Sequence, residues 1–176
     1  MKIDVLGMGN SISRYEYSSN ITVGVNDVNK FFTNSYTDYL CVVDLPNAFS
    51  KERLNTIVNS QCQKFFTPFD QWRPLVQRYQ QIKLAAGRGN LTELNNKQVV
   101  CYSNNSTFVA TVLAYKIGAK EIFLYGADFN DHPNFTGDSW SRAIEDFRNL
   151  DKMLSINNCK LRVTNESALS KYITPF

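Results

Sequence analysis

The chain has a single histidine, His132, among its 176 residues. That scarcity excludes a metal site built from several imidazoles and any mechanism that needs a histidine pair within one chain. Cysteine is nearly as sparse, and Cys41, Cys62, Cys101 and Cys159 form no CxxC pair and share no metal-ligand spacing. Cys41 and Cys101 lie in apolar runs, where a free thiol behaves as a small buried hydrophobe. With only 8 glycines and 5 prolines, no collagen-like period or low-complexity linker can be present. Nowhere do five like charges run together, and the formal net charge is only +3. The densest basic stretch, Arg73, Arg78, Lys83 and Arg88, reads more readily as a solvated face than as a phosphate groove. There is thus no strong nucleic-acid signal. No apolar run is long enough to be a transmembrane segment, since the best, residues 108–119, is broken by Lys116. The start, Met1 to Leu6, reaches Gly7 too soon for a signal peptide, so a cytoplasmic protein is expected.

What is present is a globular composition, 43% hydrophobic and 13% aromatic, sized for one domain over residues 1–176. A chain of this length buries roughly 70% of its unfolded surface and needs no disulfide or metal to fold. Lys2–Leu6, Ile21–Val25 and Tyr39–Val43 are short and almost continuously apolar, as strands buried on both faces of a parallel sheet must be. Lys64–Thr67, Gln98–Tyr102, Glu121–Tyr125 and Lys160–Val163 are further candidate strands. Helices are expected over residues 28–32, 51–60 and 107–117, from Ser139 or Ser141 through Leu154, and over 166–172. Gly118 supplies a C-cap for the third of these. The alternation predicts a three-layer α/β domain with a mainly parallel sheet. Residues 70–95 are polar, carry Gly87 and Gly89, and resemble a short lid or insertion more than core.

Each early strand stops at residues able to bind a ligand, and in open α/β sheets the ligand crevice lies outside the carboxyl ends. Gly7-Met8-Gly9-Asn10-Ser11 follows the first strand and is either a tight turn or a phosphate cradle. It is not a dinucleotide fingerprint, because Ile12 stands where the third glycine belongs, and no Gly-Lys-Ser/Thr makes it a Walker loop. Asn26-Asp27 and Asp44 close the next two strands, where they could bind a ribose, a base edge or a metal-bridged phosphate, or simply build turns. Residues 103–107, with Ser106, form a polar lead into a helix that can cap it or hold an anion. Asp128 and Asp131 precede His132, which could serve as a general base near neutral pH or be a plain polar loop residue. Tyr15, Tyr17, Phe31 and Phe32 read as packing, and aromatic content of this kind also permits a homo-oligomer.

Together these segments resemble the small bacterial sialyltransferases of glycosyltransferase family 42. The likeness rests on Val5 to Ile12, Val25-Asn26-Asp27 and Val42-Val43-Asp44, then on Ser106 through Ala114 to Ile117, and Gly118 to Phe129. It extends to a wider clan of motility-associated-factor glycosyltransferases and hydroxymethylpterin pyrophosphokinases. The resemblance implies a Rossmann-like, GT-A-like nucleotide-binding fold. It assigns a CMP-sugar donor to Gly7, Met8, Gly9, Asn26, Asp44 and Ser106, with Ser11 and Asp27 beside them. Met8 replaces an Asn of the family pattern, Asn10 a Pro, Asp44 an Asn and Thr107 a Gly. Asp44 in that place favours a ribose or a divalent metal over direct phosphate contact. His132 or Asp128 would be the catalytic base, and Arg73 or Arg88, backbone amides or a divalent metal would receive the departing phosphate. Pyrophosphoryl transfer from ATP to a pterin-like alcohol, with metal on Asp44 and Asp128, is the alternative. A non-catalytic nucleotide-binding module is another. Family members spend a long insertion on the acceptor and the catalytic histidine, and 176 residues leave little room for one.

Overall fold

A computed structural model of the chain describes residues 1–34, 36–130 and 137–176, with side chains in the last stretch from Trp140 onward. Seven strands of the described residues form one sheet in the order β5-β4-β3-β2-β1-β8-β9. They are β1 (Lys2–Leu6), β2 (Ile21–Val25), β3 (Tyr39–Cys41), β4 (Lys64–Thr67), β5 (Tyr79–Gln81), β8 (Glu121–Tyr125) and β9 (Lys160–Val163). Every neighbouring pair is parallel, with Leu6 opposite Gly24 on one side and Tyr125 on the other. A separate parallel ribbon joins β6 (Lys83–Arg88) to β7 (Val99–Tyr102). The helices are α1 (Lys51–Asn59), α2 (Ser106–Ile117) and α3 (Gly137–Ile156). The three-layer, Rossmann-like architecture expected from the alternating pattern is the one found.

The apolar runs explain the layering. Successive strand residues point to opposite faces, so Phe65 joins one core and Phe66 the other, as do Leu40 and Cys41. The larger core packs Ile3, Val5 and Val23 under α2 and α3. The smaller one holds Leu6, Leu40 and Phe65 with Ile57 of α1 and Trp72. Each fully buried Leu, Ile or Phe side chain contributes about 1.5–3 kcal/mol relative to exposure. Helix α2 lies deepest: Thr107 through Ala114 are all buried. Asn105 caps its start by accepting the Phe108 N–H at 3.0 Å, and Gly118 ends it at φ 112°, as its sequence position predicts.

Three expectations shift. Residues 70–95, read as lid or insertion more than core, supply β5 of the main sheet, β6 and the fully buried Trp72 and Leu94. The strand read over 98–102 begins at Val99 and pairs only with β6, outside the main sheet. The segments read as short helices near residues 28 and 168 are 3-10 turns, Val28–Phe31 and Ala168–Lys171.

The order of connection positions the site. The chain steps outward from β1 to β5, then returns through the β6–β7 ribbon and α2 to lay β8 against the other side of β1. The strand order therefore reverses between β1 and β8, and a crevice opens at their carboxyl ends. No described helix is long and apolar enough to cross a membrane.

Candidate functional site: a cleft at the strand reversal

The loops after β1 and β8 cross at near-contact distance, which is why glycine occupies both. Gly126 sits at φ 65°, and a methyl group added there would lie 2.5 Å from the Gly7 carbonyl oxygen. The Gly7 N–H donates to Tyr125 O at 2.7 Å and the Gly9 N–H to Gly126 O at 2.8 Å. Ser11 completes the mesh. Its hydroxyl accepts the Gly126 N–H at 2.9 Å and donates to Asp128 Oδ1, while its N–H donates to Asp128 Oδ2 at 2.8 Å. The two strand-end loops are thus one hydrogen-bonded body, and Gly7 spaces that body without lining the cleft.

Above it lies a cleft of about 820 Å³. Met8, Gly9, Asn10 and Ser11 form one wall, Asn26 and Asp44 stand at the ends of β2 and β3, and the first turn of α2 with Ser106 faces them. Asp128 and Phe129 close the β8 side. Met8 also packs against both cores, so it anchors the loop as well as lining the cleft. Asn26 is held at φ 52°, a left-handed conformation that Asn tolerates better than most residues. Its Oδ1 is buried and accepts no hydrogen bond. A buried acceptor left unpaired costs about 1–3 kcal/mol, so at a ligand-sized cleft it marks a place where a donor is expected.

Asp27 takes a different part. It is fully buried and does not line the cleft. Its Oδ1 accepts from Arg53 Nε at 2.9 Å and Nη2 at 2.7 Å, and Oδ2 accepts from Lys30 at 3.2 Å. Burial pushes its carboxyl up, yet the Arg53 and Lys30 hydrogen bonds outweigh that and hold its pKa below the usual carboxylate value. Arg53, stacked on the Phe49 ring at 5.0 Å, is thereby fixed as a cation in the cleft wall. Asp44 stands opposite with its carboxyl pushed up by partial desolvation, Arg53 opposing the shift. The buried Trp72 indole fixes the Asp44 backbone by donating to its carbonyl at 2.8 Å.

No family model matches the chain, and no curated protein sequence matches it. Solved structures do. The sialyltransferase CstII from Campylobacter jejuni in complex with cytidine-5'-monophosphate superposes with a TM-score of 0.56 at 14% identity, over 99% of this chain and 84% of CstII. The chain has the fold of CstII. The complex of CstII with CMP-3FNeuAc gives 0.57 at 12% identity, over 98% and 84% of the two chains. The complex with a trisaccharide acceptor and CMP gives 0.56 at 13%, over 99% and 86%.

Within this CstII-like fold the candidate residues divide. Met8, Gly9, Ser11, Asn26, Asp44, Ser106 and Asp128 line one cleft, whereas Gly7 and Asp27 support it from behind. Both carboxylate oxygens of Asp128 already accept from Ser11, so its first role is to tie the loops. His132 and Asp131 lie outside the described residues. Arg73 and Arg88 are elsewhere: Arg73 pairs with Asp70 at 3.2 Å, and Arg88 with Asp146 at 3.1 Å. Among the described residues, the cations that line the cleft are Arg53 and Arg14, the latter paired with Glu166 at 3.0 Å. Arg53 was detectable in principle, one turn into the helix that follows a strand-end aspartate. Among the described residues, no cluster of three His, Cys, Asp or Glu side chains is placed to hold a metal ion. Of the carboxylates that line the cleft among the described residues, Asp128 is already satisfied by Ser11 and Glu166 is paired with Arg14, which leaves Asp44.

Proposed function

We propose that the protein is a nucleotide-sugar-dependent glycosyltransferase of the CstII type, with a CMP-type nucleotide lying across the carboxyl ends of β1, β2, β3 and β8. The observation that carries this reading is the unpaired, buried Oδ1 of Asn26 at a ligand-sized cleft where the strand order reverses. Asn26 would accept from a base amino group or a ribose hydroxyl, and Asp44 from a ribose hydroxyl. The glycine loop, the first turn of α2 and Arg53 would offset the phosphate charge. In transfer, the acceptor oxygen loses its proton to a base and bonds to the anomeric carbon. The bond from that carbon to the phosphate oxygen breaks, and its electron pair leaves with the nucleotide. Asp128 and His132 are the proposed bases.

Release of CMP from a CMP-sugar, followed with wild type and with Asn26→Ala, tests the reading. CMP release that falls at least tenfold in Asn26→Ala supports it. Binding of nucleotide without turnover of any nucleotide-sugar would reduce the protein to a binding module. Cleavage of ATP to AMP in place of sugar transfer would select pyrophosphoryl transfer instead.

A further inference from the structure

Asn104, Asn105, Ser106 and Thr107 line the cleft where β7 passes into the first turn of α2. The residues on either side of that run, Ser103 and Phe108, are fully buried and do not line it. Both are held by consecutive residues of α3. The Ser103 hydroxyl donates to Asp146 Oδ2 at 2.6 Å, and the Phe108 ring meets the Phe147 ring edge to face at 5.5 Å. Phe147 packs in turn on Phe129, which closes the β8 side of the cleft. The wall of four residues is thus bracketed by a hydrogen bond at one end and an aromatic contact at the other.

The polar bracket gathers three elements. Arg88 Nε, at the end of β6, donates to the same Asp146 oxygen at 3.1 Å. Beside it Gly89 sits at φ 69°, its N–H donates to Tyr102 O at 2.8 Å, and a methyl group added there would lie 2.5 Å from Asp146 Oδ1. Glycine is required at that place on both counts. Arg88 and Gly89 therefore set the Asp146 carboxylate where the Ser103 hydroxyl meets it. The aromatic bracket is one contact among many in the core, whereas the polar one reaches the wall through a single short bond to a charged acceptor. Losing that bond frees one end of the wall and leaves the core packed.

We infer that Asp146, acting through Ser103, is a positioning residue that sets the first turn of α2 against the phosphate of a bound nucleotide. Its part in binding rests on the CMP reading, and its hold on the turn rests on the Ser103–Asp146–Arg88 geometry alone.

The test compares wild type, Ser103→Ala, Asp146→Ala and the double variant, each titrated with CMP and with cytidine. Ser103→Ala removes one hydroxyl and leaves Asp146 on Arg88, so it should fold even if Asp146→Ala does not, and in that case it carries the test. CMP affinity should fall about five- to tenfold in each single variant, the scale of a change that acts at one remove from the ligand. The double variant should lose no more than Asp146→Ala, because both act through one bond. Cytidine, which lacks the phosphate, should bind all four proteins equally; a general weakening of the cleft would lower both ligands together. In the ligand-free protein, hydrogen exchange at the Phe108 and Val109 amides, which donate to Asn105, should quicken about tenfold while the α1 amides stay unchanged. Unchanged exchange, equal CMP affinity across the proteins, additive losses in the double variant, or an equal loss of CMP and cytidine overturns the inference. Where wild type binds CMP, none of these touches the nucleotide reading. No CMP binding by wild type removes that reading; quickened exchange then keeps the hold of Asp146 on the turn, and unchanged exchange removes it as well.

Discussion

Replacing Asp27 with Asn tests whether a buried carboxylate positions the cation of the cleft. The carboxylate is fully buried and accepts three hydrogen bonds, from Arg53 at 2.9 and 2.7 Å and Lys30 at 3.2 Å. Breaking a buried ion pair by removing one partner costs about 3–5 kcal/mol when the other charge stays buried. Here the cations keep contact with water, since the Arg53 and Lys30 side chains are 42% and 44% exposed. The expected loss is therefore smaller, about 2–3 kcal/mol, the scale of lost charge-assisted hydrogen bonds. For a chain of this length that lowers Tm by roughly 5–10 °C. The pH dependence carries the sharper test. Because the folded-state pKa of Asp27 lies below its ordinary value of 3.8, its stabilisation is complete above that value and lost as pH falls through the folded-state pKa. Thermal melts of wild type and Asp27→Asn should differ most near neutral pH and converge in acid below pH 3.8. A variant that melts with wild type at pH 7, or a gap that stays constant into acid, would refute the argument.

Two further outcomes follow from the same geometry. Gly126→Ala places a methyl group 2.5 Å from Gly7 O at φ 65°, so urea unfolding should show a loss of about 2–5 kcal/mol, and a loss under 0.5 would contradict the crossing of the loops. The four cysteines are all buried and free, with burial pushing the Cys41 thiol up to about 12 and Cys62 and Cys159 to about 11. A thiol reagent at pH 8 should therefore label none of them in the native protein and all four in denaturant, and rapid native labelling would contradict that burial.

The strands Lys2–Leu6, Ile21–Val25, Lys64–Thr67 and Glu121–Tyr125 are readable to the residue as mostly apolar runs of interior strands, and Lys160–Val163, at the sheet edge, as an alternation of polar and apolar residues. The stretch 70–95 is opaque for the opposite reason. β5 is Tyr-Gln-Gln at a sheet edge and β6 carries two alanines and a glycine, so their pairing is decided by neighbours and not by composition. At the site, the strand-end residues Gly9, Asn26 and Asp44 announce themselves locally. Their convergence depends on the order β3-β2-β1-β8, which no local pattern contains. Asp27 looked like a ligand residue because its partner Arg53 lies 26 positions away, in a different element. The Arg14–Glu166 pair joins distant ends of the chain, and no sequence signal marks it.

The most direct measurement of the central claim is a calorimetric and thermal titration of the protein with CMP, repeated on Asn26→Ala. At a CMP concentration about 100 times Kd, binding to the folded state adds about 2.7 kcal/mol and raises Tm by roughly 5–10 °C. The cleft predicts that rise for wild type and a clear weakening in Asn26→Ala, with the fold intact in both. No heat and no shift with CMP or any other nucleotide, or equal binding by the two proteins, would contradict it.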